Sequence, residues 1–192
     1  ALPIWYSDKG RLANITYPSK RIVHYSYDTM GRITGITTQA DIDATEQTVL
    51  NNRQYLPFGP ATGWTYGNGL SYSAQFDQNY RLRYFDLQDA TVKMSRAYNY
   101  DPNGNITAIV KTTELQSRLQ HDYIYDELNR LTGNLFGAES ILYAYDSIGN
   151  RLSRVFETDS AATQSESYSY AEDSHHLQSI ITPESDSPRT FS

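Results

Sequence analysis

Aspartates recur at positions 8, 28, 77, 101, 126 and 146, and a repeated carboxylate invites three kinds of chemistry. Two of them could flank one glycosidic bond as general acid and base. The run Asp101-Pro102-Asn103-Gly104-Asn105 could present alternating oxygens to calcium. His175 and His176, with Glu172 and Asp173 beside them, could hold a transition metal. Each reading meets a physical objection. An EF-hand loop places glycine sixth and a bidentate glutamate twelfth, whereas here glycine comes fourth and the twelfth residue is Thr112. Adjacent histidines on a strand point to opposite faces, a poor start for one coordination sphere. Serine, histidine and aspartate are all present, yet no Gly-x-Ser-x-Gly elbow presents a nucleophile. The expectation is a chain that is not an enzyme and carries no cofactor and no metal.

The aspartates instead belong to a repeated pattern, Tyr-x-Tyr-Asp-x-x-Gly-(Arg/Asn)-(Leu/Ile). Clear copies are Tyr25-Ser26-Tyr27-Asp28-Thr29-Met30-Gly31-Arg32-Ile33 and Tyr98-Asn99-Tyr100-Asp101-Pro102-Asn103-Gly104-Asn105-Ile106. Two more run from Tyr123 through Tyr125, Asp126 and Asn129 to Arg130, and from Tyr143 through Tyr145, Asp146 and Gly149 to Asn150. Degraded copies stand at Tyr6-Ser7-Asp8-Lys9-Gly10-Arg11 and at Phe76-Asp77-Gln78-Asn79-Tyr80-Arg81, and Tyr168-Ser169-Tyr170 is a last trace. The aspartates are spaced by 20, 49, 24, 25 and 20 residues, the differences of the positions above, so the long step covers one eroded copy. A period in the twenties marks an array whose units bury their apolar faces only by stacking on neighbours.

Each unit has a local mechanism. Tyr-x-Tyr is a strand with both rings on one face. Asp-x-x-Gly places aspartate first and glycine fourth in a type I turn, where glycine accepts a positive φ. Arg-Leu or Asn-Ile then resumes an alternating strand, as in Arg32-Ile33-Thr34-Gly35-Ile36. One repeat is therefore a β-hairpin, and the whole is predicted to be all-β, tandem antiparallel hairpins forming a long curved sheet. The array is assigned to residues 1–182, with an insertion loop at about 38–54 that could hold one helical turn, and residues 183–192 form a disordered or truncated tail. Asn68-Gly69 is expected to make a two-residue type I′ turn inside the eroded repeat. Lys111 to Gln120 reads as a connector, and the residues after Glu157 as a solvated loop before a last strand pair.

Composition narrows the partners. The 17 tyrosines, against 2 tryptophans and 6 phenylalanines, are what a repeated Tyr-x-Tyr produces. A net charge of −6 without any basic block argues against nucleic acid and anionic membrane. No cysteine is present, which removes disulfides and the thiolate zinc sites. No apolar run is long enough to span a membrane as a helix. Trp5, Phe58 and Trp64 lie outside the regular tyrosine positions and are the candidates for contact with something beyond the array, such as a sugar ring.

The signature Tyr-Asp-x-x-Gly-Arg-Leu resembles the YD-repeat, or rearrangement-hotspot (Rhs), family over roughly Tyr6 to Ile181. The segment Pro57-Phe58-Gly59-Pro60 with Tyr66-Gly67-Asn68-Gly69-Leu70 is similar to a variant in its bacterial members. The resemblance implies a sheet that winds into a shell around a polypeptide toxin, or neighbouring repeats of the same protein as partners, in a secreted or cell-surface bacterial setting. A surface adhesin or carbohydrate-binding array is the alternative it leaves open. It implies no catalytic role for Asp101, whose Asp-Pro-x-Gly context sits in a mid-chain turn.

Overall fold

A computed structural model describes residues 3–91, 93–112, 118–159, 161–182 and 189–191. The chain divides into two compact units at Arg96/Ala97. The first holds β1 (Ile4–Tyr6), β2 (Leu12–Thr16), β3 (Ile22–Tyr27), β4 (Ile33–Gln39), β5 (Gln47–Tyr55), β6 (Ala61–Tyr66), β7 (Ser71–Phe76) and β8 (Leu82–Gln88). Strand β9 (Lys93–Tyr100) runs across the division. The second unit continues with β10 (Ile106–Thr112), β11 (Arg118–Tyr125), β12 (Leu131–Phe136), β13 (Glu139–Tyr145), β14 (Arg151–Thr158), β15 (Ala161–Tyr170), β16 (Leu177–Ile181) and β17 (Arg189–Thr190). Among the described residues there is no helix, as the hairpin reading expects.

Within each unit every strand pairs antiparallel with the next in sequence. The repeat turns share one closure. The Asp28 N–H donates to the Arg32 carbonyl at 2.9 Å and the Gly31 N–H to the Asp28 carbonyl at 3.0 Å. The same two bonds recur from Asp77, Asp101, Asp126 and Asp146. Past each turn the returning strand carries one extra residue: Tyr27 faces Ile33 while Ser26 faces Gly35, which leaves Thr34 as a bulge. Thr132, Leu152 and Arg83 occupy the same place in their hairpins. A bulge increases local twist and shifts the face on which later side chains stand.

Burial is shallow. Of the described apolar residues only Ile22, Ala74 and Ala108 fall in the buried class, so stability rests on ladders and cross-strand pairs rather than on a thick core. The repeat tyrosines occupy one face, whereas Tyr84, paired with Gln75, stands on the other. In the first unit the repeat-tyrosine face carries Trp64 stacked on Tyr72, with ring centroids 4.1 Å apart and Tyr72 in turn 5.9 Å from Phe85.

Several expectations change. Residues 47–55 form a strand, not part of a loop. Three interruptions in the β5 ladders, with Asn52 at φ 54°, erase the period-two signal by which a strand is read. The supposed helical turn is a single turn in which the Ala44 N–H meets the Asp41 carbonyl. Asn68-Gly69 does not form a two-residue turn. The Tyr66 N–H bonds the Leu70 carbonyl around three residues with Gly69 at φ 91°, because Asn68 uses its side chain to accept from the Leu70 N–H. The stretch after Glu157 is strand as well: β15 pairs with β14, its alanine and polar side chains exposed at 161–165. Backbone pairing alone orders it, which an apolar-pattern reading does not detect. Of the connector, β10 reaches Thr112 and β11 starts at Arg118, and residues 113–117 lie outside the described residues. So do 183–188 of the tail, beyond which Arg189 pairs with Ile180.

Candidate functional site

The repeat turn carries the motif's chemistry, built around one carboxylate. Asp126 Oδ1 accepts the backbone N–H groups of Leu128 (3.0 Å) and Arg130 (2.9 Å), while Oδ2 accepts Arg130 Nε at 2.6 Å. Asp28 and Asp77 grip Arg32 and Arg81 in the same way. Asp101 and Asp146 hold Asn105 and Asn150, an amide replacing the guanidinium. Both oxygens of each of these five aspartates are thus engaged in its own turn.

These bonds set the protonation of the clamp. The Arg32, Arg81 and Arg130 backbone N–H groups hold Asp28, Asp77 and Asp126 below the ordinary carboxylate range. Asp101 is lowered chiefly by the Asn105 side chain. At Asp146 desolvation pulls upward and is outweighed by the Asn150 backbone and side-chain donors. Burial pushes Tyr25, Tyr123 and Tyr125 upward.

The residue after the turn glycine does more than resume the strand. Arg130 also donates to the Asp146 carbonyl of the next turn at 2.7 Å, and Arg32 to the Leu56 carbonyl at 2.9 Å. In four repeats the tyrosine just before the turn reaches back: Tyr145 donates to the Leu131 carbonyl (2.9 Å), Tyr27 to Leu12 (2.7 Å), Tyr55 to Ile33 (2.6 Å) and Tyr125 to Ile106 (2.9 Å). The arginine lies over that ring, Arg130 4.9 Å from the Tyr145 centroid and Arg32 4.6 Å from that of Tyr55. Adjacent hairpins are therefore stitched in both directions by two motif residues. Tyr145→Phe is expected to cost about 1 kcal/mol, the net worth of one such bond, read as a lower denaturation midpoint with an unchanged slope.

The structure relocates the degraded copies. Ser7, not Asp8, opens the first turn: its N–H bonds the Arg11 carbonyl, and its hydroxyl accepts the Arg11 N–H at 3.3 Å. Asp8 is displaced because Gly10 must stand fourth. The eroded copy is the turn Leu56–Pro60, entered by Tyr55 and closed by the same pair of backbone bonds. Its Gly59 lies under Tyr80, which takes the glycine place of the next turn at φ 59°. Asn129 fills that place at φ 60° and accepts both Asn103 (3.0 Å) and Asn105 (2.7 Å). His175 is engaged with Asn150 Oδ1 at 2.6 Å, and the described residues contain no cluster able to hold a metal. Trp64 packs between Tyr72 and Arg53, whereas Trp5 and Phe58 are exposed.

Two features escape the motif reading. One is the double reach of the Arg/Asn and tyrosine side chains. The other is a small residue just after the bulge, in Ile33-Thr34-Gly35, Ala61-Thr62-Gly63 and Leu131-Thr132-Gly133, visible as a repeated Thr-Gly. A Cβ at Gly63 would meet the Tyr72 carbonyl oxygen at 3.1 Å, and at Gly133 the Ile124 side chain at 3.3 Å. The face opposite the tyrosines differs between the units. In the first, Ser26, Gly35, Gln54, Gly63 and Ser73 line an open groove of about 810 Å³ that Arg53 also borders, and the buried Asp86 stands opposite Ser73. In the second, Ile124, Leu135 and Leu142 stand 48%, 37% and 36% exposed across rows that meet at Gly133.

Comparison with known proteins follows this geometry. Residues 6–41 match the family model RHS Repeat. The fold is shared with the crystal structure of TcdB2-TccC3-Cdc42 (TM-score 0.80, 18% identity), covering 94% of this chain and 10% of that one. TcdB2-TccC3 alone gives the same figures. The Photorhabdus luminescens Tc holotoxin pore gives TM-score 0.73 at 15% identity over 98% of this chain and 12% of that one. The chain thus spans about a tenth of the length of the structures it matches. A search of curated proteins by sequence returned no match. Its opening copies, residues 6–41, are thus matched as RHS repeats, and its hairpins, stitched through Tyr, Asp and Arg, share the fold of these Tc toxin chains.

Proposed function

We propose that the chain is a section of an exported shell wall that encloses or presents a polypeptide toxin, and that its role is structural. The observation that carries this reading is the face opposite the tyrosines. In the second unit it bears exposed aliphatics, Ile124, Leu135 and Leu142, and in the first a groove lined mainly by small polar residues and glycine, bordered by Arg53 and with Asp86 opposite Ser73. A wall meeting a varied or unfolded polypeptide needs apolar and polar contact without a strong charge pattern. Clustered exposed aromatics would instead favour an adhesin. Trp64 and Tyr72 are stacked on each other, which supports packing over sugar contact. The likeness to chains of Tc toxin complexes supports the same reading.

The test is electron microscopy of the intact protein that contains this chain. A hollow particle with internal density is the expected result. An open or filamentous array without a lumen would overturn the enclosing role and favour display at a surface.

A further inference from the structure

Asn-Gly occurs twice, at Asn68-Gly69 and Asn103-Gly104, each time in a hairpin turn with its glycine in the left-handed region at φ 91° and 93°. Asparagine before glycine is a labile pair, because no side chain on the following residue shields the asparagine amide from that residue's backbone nitrogen. The surroundings differ. At Asn68 the Leu70 N–H donates to Oδ1 at 3.2 Å, and a Cβ built on Gly69 would meet nothing within 4 Å. That donor draws electron density from Cγ and stabilises the oxyanion that attack would create. At Asn103 the bond runs the other way: Nδ2, the leaving group, donates to Asn129 Oδ1 at 3.0 Å. That bond strengthens the amide resonance and tethers the group that would have to depart.

We propose that Asn68 is a spontaneous deamidation site of the folded chain, and that Asn103 is protected by Asn129. The Gly69 nitrogen attacks Asn68 Cγ; the N–Cγ bond forms, the Cγ–Nδ2 bond breaks, and the Gly69 proton leaves with the amide as ammonia. Solvent water then opens the succinimide at either carbonyl, giving aspartate or isoaspartate at position 68. The aspartate product keeps the three-residue turn and adds one negative charge. The isoaspartate product inserts a methylene into the backbone between Tyr66 and Leu70, across the turn that the Tyr66 N–H closes on the Leu70 carbonyl (2.8 Å) and the Gly69 N–H on the Tyr66 carbonyl (2.9 Å). It therefore loosens the β6–β7 hairpin, and with it the Trp64–Tyr72 stack, slowly and irreversibly.

Peptide mapping by mass spectrometry of the full chain, aged folded in mildly alkaline buffer and separately in denaturant, tests this. Folded, Asn68 converts faster than Asn103 by about fivefold, the factor that one hydrogen bond on the Asn103 amide represents. Unfolded, the two sites convert alike. Asn129→Gly keeps the backbone conformation but removes the acceptor, and it raises the Asn103 rate about fivefold while Asn68 is unchanged. Circular dichroism confirms that the variant is folded. Equal rates in the folded chain, a faster Asn103, or no response of Asn103 to Asn129→Gly would each overturn the assignment.

Discussion

Gly67→Ala is expected to destabilise the chain more than alanine at any glycine of the repeat motif. A Cβ at this position would lie 1.8 Å from the Thr48 backbone oxygen and 2.8 Å from its carbonyl carbon. Neither atom can rotate away as a side chain can. Relief requires β5 to part from the 66–70 turn, which breaks the 2.9 Å bond from the Gly67 N–H to the Val49 carbonyl. Overpacking combined with a lost backbone bond amounts to about 3–4 kcal/mol, a fall in Tm of roughly 10 °C for a chain of this size. Gly31→Ala meets the Arg11 guanidinium, with Nη2 2.6 Å from the new Cβ, at φ 88°. That side chain can swing aside, giving up its bond to the Asp28 carbonyl, so the cost is about 2 kcal/mol. Gly149→Ala, at φ 98° with no atom within 4 Å, bears only the backbone term of about 1 kcal/mol. Thermal melts of the three variants should rank in that order. A Gly149 variant as damaged as the Gly67 variant would mean that conformation, not approach, governs these glycines.

That ranking marks how far the sequence reaches. The glycine of Asp-x-x-Gly was legible because type I closure demands positive φ at one fixed place, and Gly31, Gly104 and Gly149 do stand there. The face shared by the tyrosines was legible from Tyr-x-Tyr for the same reason, periodicity being local. Gly67 and Gly63 were not, because what crowds them lies on a neighbouring strand: Thr48 for one, Tyr72 for the other. Similarly, the aspartate's turn bonds follow from its own neighbourhood, whereas the reach of Tyr145 to Leu131 depends on how one hairpin lies against the next. Strand β5 failed for a different reason. Bulges at Asn51/Gln54 and Gln54/Tyr55 break the alternation itself, so no window along 47–55 shows a period of two.

Acidification is expected to loosen every clamp within one narrow pH window. Asp28, Asp77, Asp101, Asp126 and Asp146 are all lowered from the ordinary value of 3.8. A depressed folded-state pKa means that the unfolded chain binds more protons as pH falls, so stability rises with pH through that range. The clamps therefore contribute fully above the unfolded value of 3.8 and lose their contribution as pH falls through the lower folded values. Melting temperature should stay level from neutral pH down to about 5 and then drop below about 4. The clamps are not equivalent under salt. Those closed by Arg32, Arg81 and Arg130 include an ion pair at 2.6–2.8 Å, with carboxylates about a fifth to a quarter exposed, and should weaken as ionic strength rises. Those closed by Asn105 and Asn150 are held by an amide and should respond less. Asp126→Asn keeps an acceptor for the Arg130 N–H but has no charge to titrate. It should be less stable than the parent at neutral pH, and the gap should narrow in acid. A transition centred near 6.5, far above the carboxylate range, would instead remove the acid sensitivity from the aspartate clamps.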